Sequence, residues 1–121
     1  GLGAYADGRR LTVSDTAERA RASLCTGFPV RFDMESEASR KRFWRRIKPY
    51  AKVRMIGSAA ASLLNVASGA ADAYFEESIM LWDVAAGIAI VEGAGGRVRL
   101  RPGPLKDSLE VRAWNGVLPE S

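Results

Sequence analysis

The run from Trp82 to Gly96 constrains the fold more than any other stretch of this chain. Ala85, Ala86, Ala89, Ile90 and Gly93 recur along it at helical spacing, and Gly95-Gly96 closes it as a C-terminal cap. The pattern predicts a helix from Trp82 to Ala94 with a smooth, Ala-rich face. The elements around it alternate in type. Val53-Arg54-Met55-Ile56 reads as a strand, and Ser58 is a good N-cap for a helix in which Ala59, Ala60, Leu63, Leu64 and Ala67 recur before Gly69. Ala73-Tyr74-Phe75 is a short strand. Val98 and Leu100 alternate with arginines as a strand with one exposed face, Pro102-Gly103-Pro104 is a loop, and Leu109 to Trp114 is a last strand. Interleaved strands and helices predict an α/β architecture, a layered sheet with helices packed on its faces, in a single domain over residues 1–121. No internal repeat, low-complexity tract or long linker divides the chain.

The first half is less regular. Gly1 to Val13 reads as two short strands joined at an Asp7-Gly8 hairpin turn, with Leu11-Thr12-Val13 in the second strand. Ser14 or Asp15, with Glu18 following, opens a short helical turn through Arg21. Ser23 to Phe28 is a buried strand stopped at Gly27-Phe28-Pro29, and Glu35 to about Lys48 is a basic amphipathic helix closed by Pro49.

Composition narrows the chemistry. The 121 residues suit one ordinary domain, and the absence of histidine excludes Ser-His-Asp and Cys-His nucleophiles and every metal site that needs imidazole. A single cysteine, Cys25 in an apolar run, excludes internal disulfides and reads as a buried, inert thiol. With no apolar stretch approaching the ~20 residues of a membrane span, the chain is expected to be soluble and cytoplasmic, with no membrane partner. Catalysis is left to carboxylates, hydroxyls, backbone groups or a hard metal. The net charge of +4 is concentrated between Arg40 and Arg54, where eight cations face no acid. Phe43, Trp44 and Ile47 form one apolar stripe there, so the cations read as a solvated helix face. A nucleic-acid surface and a rim attracting anionic substrates are the alternatives.

Asp83 follows Trp82 at the mouth of the Ala-rich helix, where a carboxylate suits the helix dipole. It is open to two readings, a structural cap or a metal ligand or base at a sheet–helix crevice. Glu76, at the end of the Tyr74-Phe75 run, either faces that crevice or is exposed and idle. Two acids without histidine suit an oxygen-loving ion such as Mg2+. Gly57-Ser58-Ala59-Ala60, where a strand ends and a capped helix begins, either presents free N–H groups to an anion or is an ordinary helix start.

Trp82-Asp83-Val84-Ala85-Ala86-Gly87-Ile88-Ala89-Ile90-Val91-Glu92-Gly93-Ala94-Gly95-Gly96 closely resembles the C-terminal signature of the inositol monophosphatase family of Mg2+-dependent, lithium-sensitive phosphatases. The resemblance extends through Ala71 to Glu76, Gly57 to Ala60, Thr26 to Pro29 and back to Gly1-Leu2-Gly3-Ala4-Tyr5 with Asp7-Gly8 and Val13-Ser14. It implies that Asp83 binds Mg2+, that Glu76 binds substrate hydroxyls, and that Gly57, Ser58 and Ala59 line the pocket for a phosphorylated small molecule, inositol monophosphate or a related sugar phosphate. The family's Asp-Pro-Ile/Leu-Asp-Gly-Thr segment and its upstream glutamate have no counterpart here. The chain therefore resembles a C-terminal half, expected to be inactive without its N-terminal, metal-binding domain and to form a homodimer through uncovered apolar surface. The alternative is a non-catalytic binding or assembly module that keeps the fold without a complete metal centre.

Overall fold

A computed structural model describes residues 3–119. Residues Gly1 and Leu2 of the expected N-terminal strand lie outside that range. Strands β1 (Tyr5–Ala6) and β2 (Arg9–Arg10) form the hairpin, and its turn places Asp7 and Gly8 at φ of 50° and 77°. Two successive positive φ values match the right-handed twist of the flanking strands, which is why Asp-Gly works here.

Leu11-Thr12-Val13 is not part of β2. The Leu11 N–H donates to the Ala4 carbonyl at 2.7 Å, but the Val13 N–H turns away to the Ala94 carbonyl at 3.1 Å. The expected helical turn is also displaced, to a single 3-10 turn at Arg19–Arg21. The reason lies in the Ser14 hydroxyl, which donates to Asp72 Oδ1 at 2.5 Å and accepts from Asn115 Nδ2 at 3.0 Å instead of capping a helix. Asp72 Oδ2 in turn accepts from the Ser23 N–H at 2.7 Å, so one buried carboxylate ties the N-terminal segment to the start of the next strand.

The main sheet has five strands in the order β4-β3-β5-β7-β6: β3 (Ser23–Thr26), β4 (Lys52–Arg54), β5 (Ala73–Ile79), β6 (Arg97–Pro102) and β7 (Leu109–Trp114). Strand β3 is parallel to both β4 and β5, whereas β7 is antiparallel to β5 and β6. Helix α1 (Glu37–Ile47) connects β3 to β4, α2 (Ala59–Ala67) connects β4 to β5, and α3 (Leu81–Gly93) connects β5 to β6. The chain thus leaves β3 one way and returns past it the other way, with α1 and α2 on opposite faces. This is the layered α/β architecture read from the interleaving, built on a mixed sheet.

Helices α2 and α3 cover one face. Leu63, Val66, Ala67, Val84 and Val91 are fully buried there with Cys25, Tyr74, Val111 and Ala113 of the sheet. The small-residue face of α3 is turned to solvent: Ala85, Ala86 and Ala89 are exposed, and Val84, Ile88 and Val91 face the core. Valine and isoleucine remove more apolar area from water than alanine, so they set the rotation of the helix. Gly87 makes the close α2–α3 approach, since a Cβ there would lie 2.6 Å from the Leu63 Cδ1. Cys25 is buried as expected, and burial raises its thiol pKa.

Helix α1 covers the opposite face loosely. Ser36 caps it, accepting from the Ser39 N–H at 3.2 Å, and none of its residues is buried. Of the expected stripe, Ile47 packs against the cluster of Ala22, Leu24, Ala73, Phe75 and Leu118, and the Phe43 ring meets those of Phe28 and Phe32 at a tilt. Trp44 does not join them and is 60% exposed. Strand β6 differs too: five of its six residues are exposed, because it is the sheet edge and its arginines keep that edge from pairing further. Among the described residues no helix is long and apolar enough to cross a membrane.

Candidate active site

Parallel strands β3, β4 and β5 point their carboxyl ends the same way, and the chain reverses its order of progress at β3. Open α/β sheets form ligand crevices at such places. A cavity of about 470 Å³ lies here, lined by Thr26 and Gly27 after β3, Met55 and Gly57 after β4, Ser58, Ala59 and Ala60 at the start of α2, Glu76 and Ile79 of β5, and Asp83 of α3. All five residues singled out in the sequence, Gly57, Ser58, Ala59, Glu76 and Asp83, therefore share one cavity.

Gly57 adopts φ of +82°, a conformation that side-chain-bearing residues rarely take, and this lets β4 turn sharply into α2. Ser58 is extended, and its hydroxyl accepts from the Ala61 N–H at 3.1 Å. That bond satisfies one donor of the first turn. The N–H groups of Ala59 and Ala60 have no acceptor within the helix and open toward the cavity end, where the positive pole of α2 favours an anion.

Asp83 lies in the first turn of α3, and the N-cap residue before that helix is Met80, which makes no side-chain cap hydrogen bond. The Asp83 N–H donates to the Met80 carbonyl at 3.0 Å. Its carboxylate is exposed on the cavity rim and has no hydrogen bond or ion pair among the described residues. The structural-cap reading of Asp83 therefore has no bond to support it.

Glu76 is not exposed. It is half-buried, and the Tyr74 hydroxyl donates to its Oε1 at 3.1 Å. Burial raises its pKa above the ordinary carboxylate range, and the Tyr74 hydrogen bond opposes that rise. Tyr74 is itself held protonated, first by burial and then by the neighbouring Glu76 charge. Gly27 leaves room for this carboxylate, since a Cβ there would lie 3.1 Å from Glu76 Oε2. Tyr74 and the wall residues Met55 and Ile79 were not anticipated. The i, i+2 spacing of Tyr74 and Glu76 on one strand face is the signal that links the first of them to the site.

A hard cation fits this rim by the type of donor but not by their number. Asp83 supplies an accessible carboxylate, yet among the described residues no three acidic or cysteine side chains gather to hold an ion. Mg2+ keeps its waters unless several oxygens are placed around it.

The model of the inositol monophosphatase family matches residues 1–118. This chain belongs to that family. It is 38% identical over 98% of its length to the chloroplastic phosphatase IMPL1 of Arabidopsis thaliana, 40% identical over 81% to the Nus factor SuhB of Xylella fastidiosa, and 38% identical over 81% to inositol monophosphatase 2 of Homo sapiens. It covers 32%, 36% and 35% of those three proteins, so it spans about a third of the curated relatives it matches. The fold matches inositol monophosphatase from Anabaena (Nostoc) sp. PCC 7120 with a TM-score of 0.78 at 37% identity, covering 97% of this chain and 47% of that one. It also matches an inositol monophosphatase from Thermotoga maritima, with a TM-score of 0.76 at 31% identity, 95% of this chain and 44% of that one.

Proposed function

We propose that this chain forms the substrate-side part of a Mg2+-dependent phosphomonoesterase that hydrolyses inositol monophosphate or a related sugar phosphate. The observation that carries the reading is the gathering of an accessible carboxylate, a half-buried carboxylate and a helix N-terminus in one cavity, within a chain of the inositol monophosphatase family. Asp83 contributes one oxygen ligand, and the remaining carboxylates come from polypeptide outside these 121 residues. When bound, the ion polarises the ester and activates water. The α2 N–H groups of Ala59 and Ala60 orient the phosphate. Glu76, aligned by Tyr74, accepts hydrogen bonds from substrate hydroxyls and so fixes the sugar ring relative to the ester.

The test is phosphate release from inositol 1-phosphate by the full-length protein. We expect chelator-sensitive turnover, and a loss of about 10²-fold or more in kcat for Asp83→Asn with an unchanged melting temperature. Turnover indifferent to both chelator and Asp83→Asn would overturn the proposal. Residues 1–121 expressed alone are expected to show no such turnover.

A second reading is a binding or assembly module without a working metal centre. It draws on the lack of a three-acid cluster among the described residues and on relatives named as Nus factors. Absence of chelator-sensitive hydrolysis in the full-length protein would favour it. In either case we propose a cytoplasmic homodimer. The exposed Leu64, Trp82 and Ile56 support association.

A further inference from the structure

Two glutamates stand side by side on β5 and serve opposite faces of the sheet. Successive strand residues alternate in direction, so Glu76 lines the α2–α3 cavity while Glu77 turns toward α1, on the side of Phe75. The ladder between β5 and β7 shifts between Glu76 and Ile79. That irregularity lets Ile79 face the same cavity as Glu76, three residues before it, while Glu77 faces away. Glu77 does not line the cavity, yet it is half-buried and hydrogen-bonded.

Its partner is the connection from β3 to α1. Pro29 to Phe32 form a four-residue turn, closed by the Phe32 N–H donating to the Pro29 carbonyl at 3.2 Å. Such a turn leaves the N–H of its second residue without an acceptor of its own. Glu77 Oε1 supplies one, accepting from the Val30 N–H at 2.9 Å. The third residue, Arg31, adopts φ of +55°, where a turn of this kind usually carries glycine or asparagine. The turn is therefore not set by its own residues. It is held from outside, by Glu77 and by the Phe43 ring of α1, whose centre lies 5.6 Å from that of Phe28 and 5.3 Å from that of Phe32.

The same connection begins in the cavity wall. The Thr26 hydroxyl donates to the Phe75 carbonyl at 2.6 Å, and Gly27 follows, bordering the Glu76 carboxylate so closely that a Cβ there would lie 3.1 Å from Oε2. Tyr74 holds the other oxygen of that carboxylate. Gly27 is three residues from the N–H that Glu77 holds. Over so short a span a turn released from Glu77 carries the Gly27 backbone with it, and small displacements matter where a substrate is being oriented.

We propose that Glu77 is a positioning residue for substrate binding: it fixes the turn after β3, and through it the Gly27 backbone against Glu76, at the end of the cavity that receives substrate hydroxyls. This role rests on the reading of Glu76 as the group that meets those hydroxyls. Glu77 acts through its hydrogen bond to Val30, and substitution separates that bond from the effect of its charge on the nearby Arg46.

The test is steady-state hydrolysis by the full-length protein with Mg2+, using inositol 1-phosphate and 4-nitrophenyl phosphate, an ester without ring hydroxyls. Glu77→Leu removes the acceptor, whereas Glu77→Gln keeps an oxygen for the Val30 N–H and removes only the charge. We expect Glu77→Leu to raise KM for inositol 1-phosphate about fivefold with less than about a twofold change in kcat, a factor of the order that one net hydrogen bond supplies. KM for 4-nitrophenyl phosphate should stay within about twofold of the parent value, and Glu77→Gln should match the parent on both esters. An unchanged KM for inositol 1-phosphate in Glu77→Leu, an equal rise for both esters, or a Gln variant as impaired as the Leu variant would each overturn the proposal and leave the phosphatase reading standing. No turnover of either ester by the parent protein sinks that reading, and the role of Glu77 with it. Melting curves show whether the variants are folded, and Glu77→Ala repeats the test if Glu77→Leu unfolds.

Discussion

On one face of the sheet α2 and α3 bury Leu63, Val66, Val84 and Val91 completely, while on the other α1 buries none of its residues. The first face is held by close apolar packing. The second is held by the Phe28, Phe32 and Phe43 rings, the Arg46 stack on Phe75 and a few half-buried side chains such as Ile47. The cavity is attached to the stiff face: Asp83 follows directly from α3 packing, and Ser58 to Ala60 from α2 packing. Dense packing fixes distances between groups carried on different elements, which a site made of several chain segments requires. The loosely packed face is free to concentrate charge instead, because its helix does not depend on an apolar seam.

The comparison is broken most directly by removing volume from the stiff face. Leu63→Ala is expected to cost about 2–5 kcal/mol, read by chemical or thermal unfolding, because the site is fully buried between α2 and α3 and cannot collapse freely. Adding volume at the same seam comes next. Gly87→Val is expected to cost about 1–3 kcal/mol, since even a Cβ meets Leu63 at 2.6 Å, and the displaced helix should also weaken turnover through Asp83. If the cavity is anchored by this packing, activity and stability fall together in both variants.

A smaller effect belongs to Glu76. Its folded pKa is raised by burial, so the folded state holds the proton more tightly than the unfolded chain. Its contribution is therefore most favourable below the ordinary glutamate range and is lost as pH rises through the raised value. The melting temperature of Glu76→Gln should fall less than that of the parent across about pH 4 to 7. Parallel curves would show that the carboxylate is not desolvated in solution. The smallest effect is expected on the loose face, where Trp44→Ala should change stability by no more than about 0.5 kcal/mol. A loss comparable to that of Leu63→Ala would mean that α1 packs as tightly as α2 and α3.

Much of the site was legible from local chemistry. Gly57-Ser58 had to be a turn into a capped helix, and Asp83 had to lie near the start of α3, because caps, turn glycines and helical spacing act over a few residues. The state of Glu76 was not legible. Its burial depends on Tyr74 and on the bare Gly27 backbone, which reaches it from another strand. The rotation of α3 was not legible for a similar reason: Ala-rich spacing marks a face but does not say which neighbour competes for the core, and Val84, Ile88 and Val91 win by area. The Ser14 cap failed because Asp72 and Asn115, far along the chain, take its hydroxyl.

Taken alone, the sequence determined that strands and helices interleave, that no imidazole chemistry is available, and which family's signature the Trp82–Gly96 run carries. These are properties of residue type and short-range spacing. Only the tertiary structure decided that Asp83, Glu76 and the α2 mouth share one cavity, and that Arg19, Arg42, Arg45, Arg46 and Arg112 share another. Register and crossover bring those groups together, and both are set by which apolar faces bury the most area over the whole chain, a quantity that no local window contains.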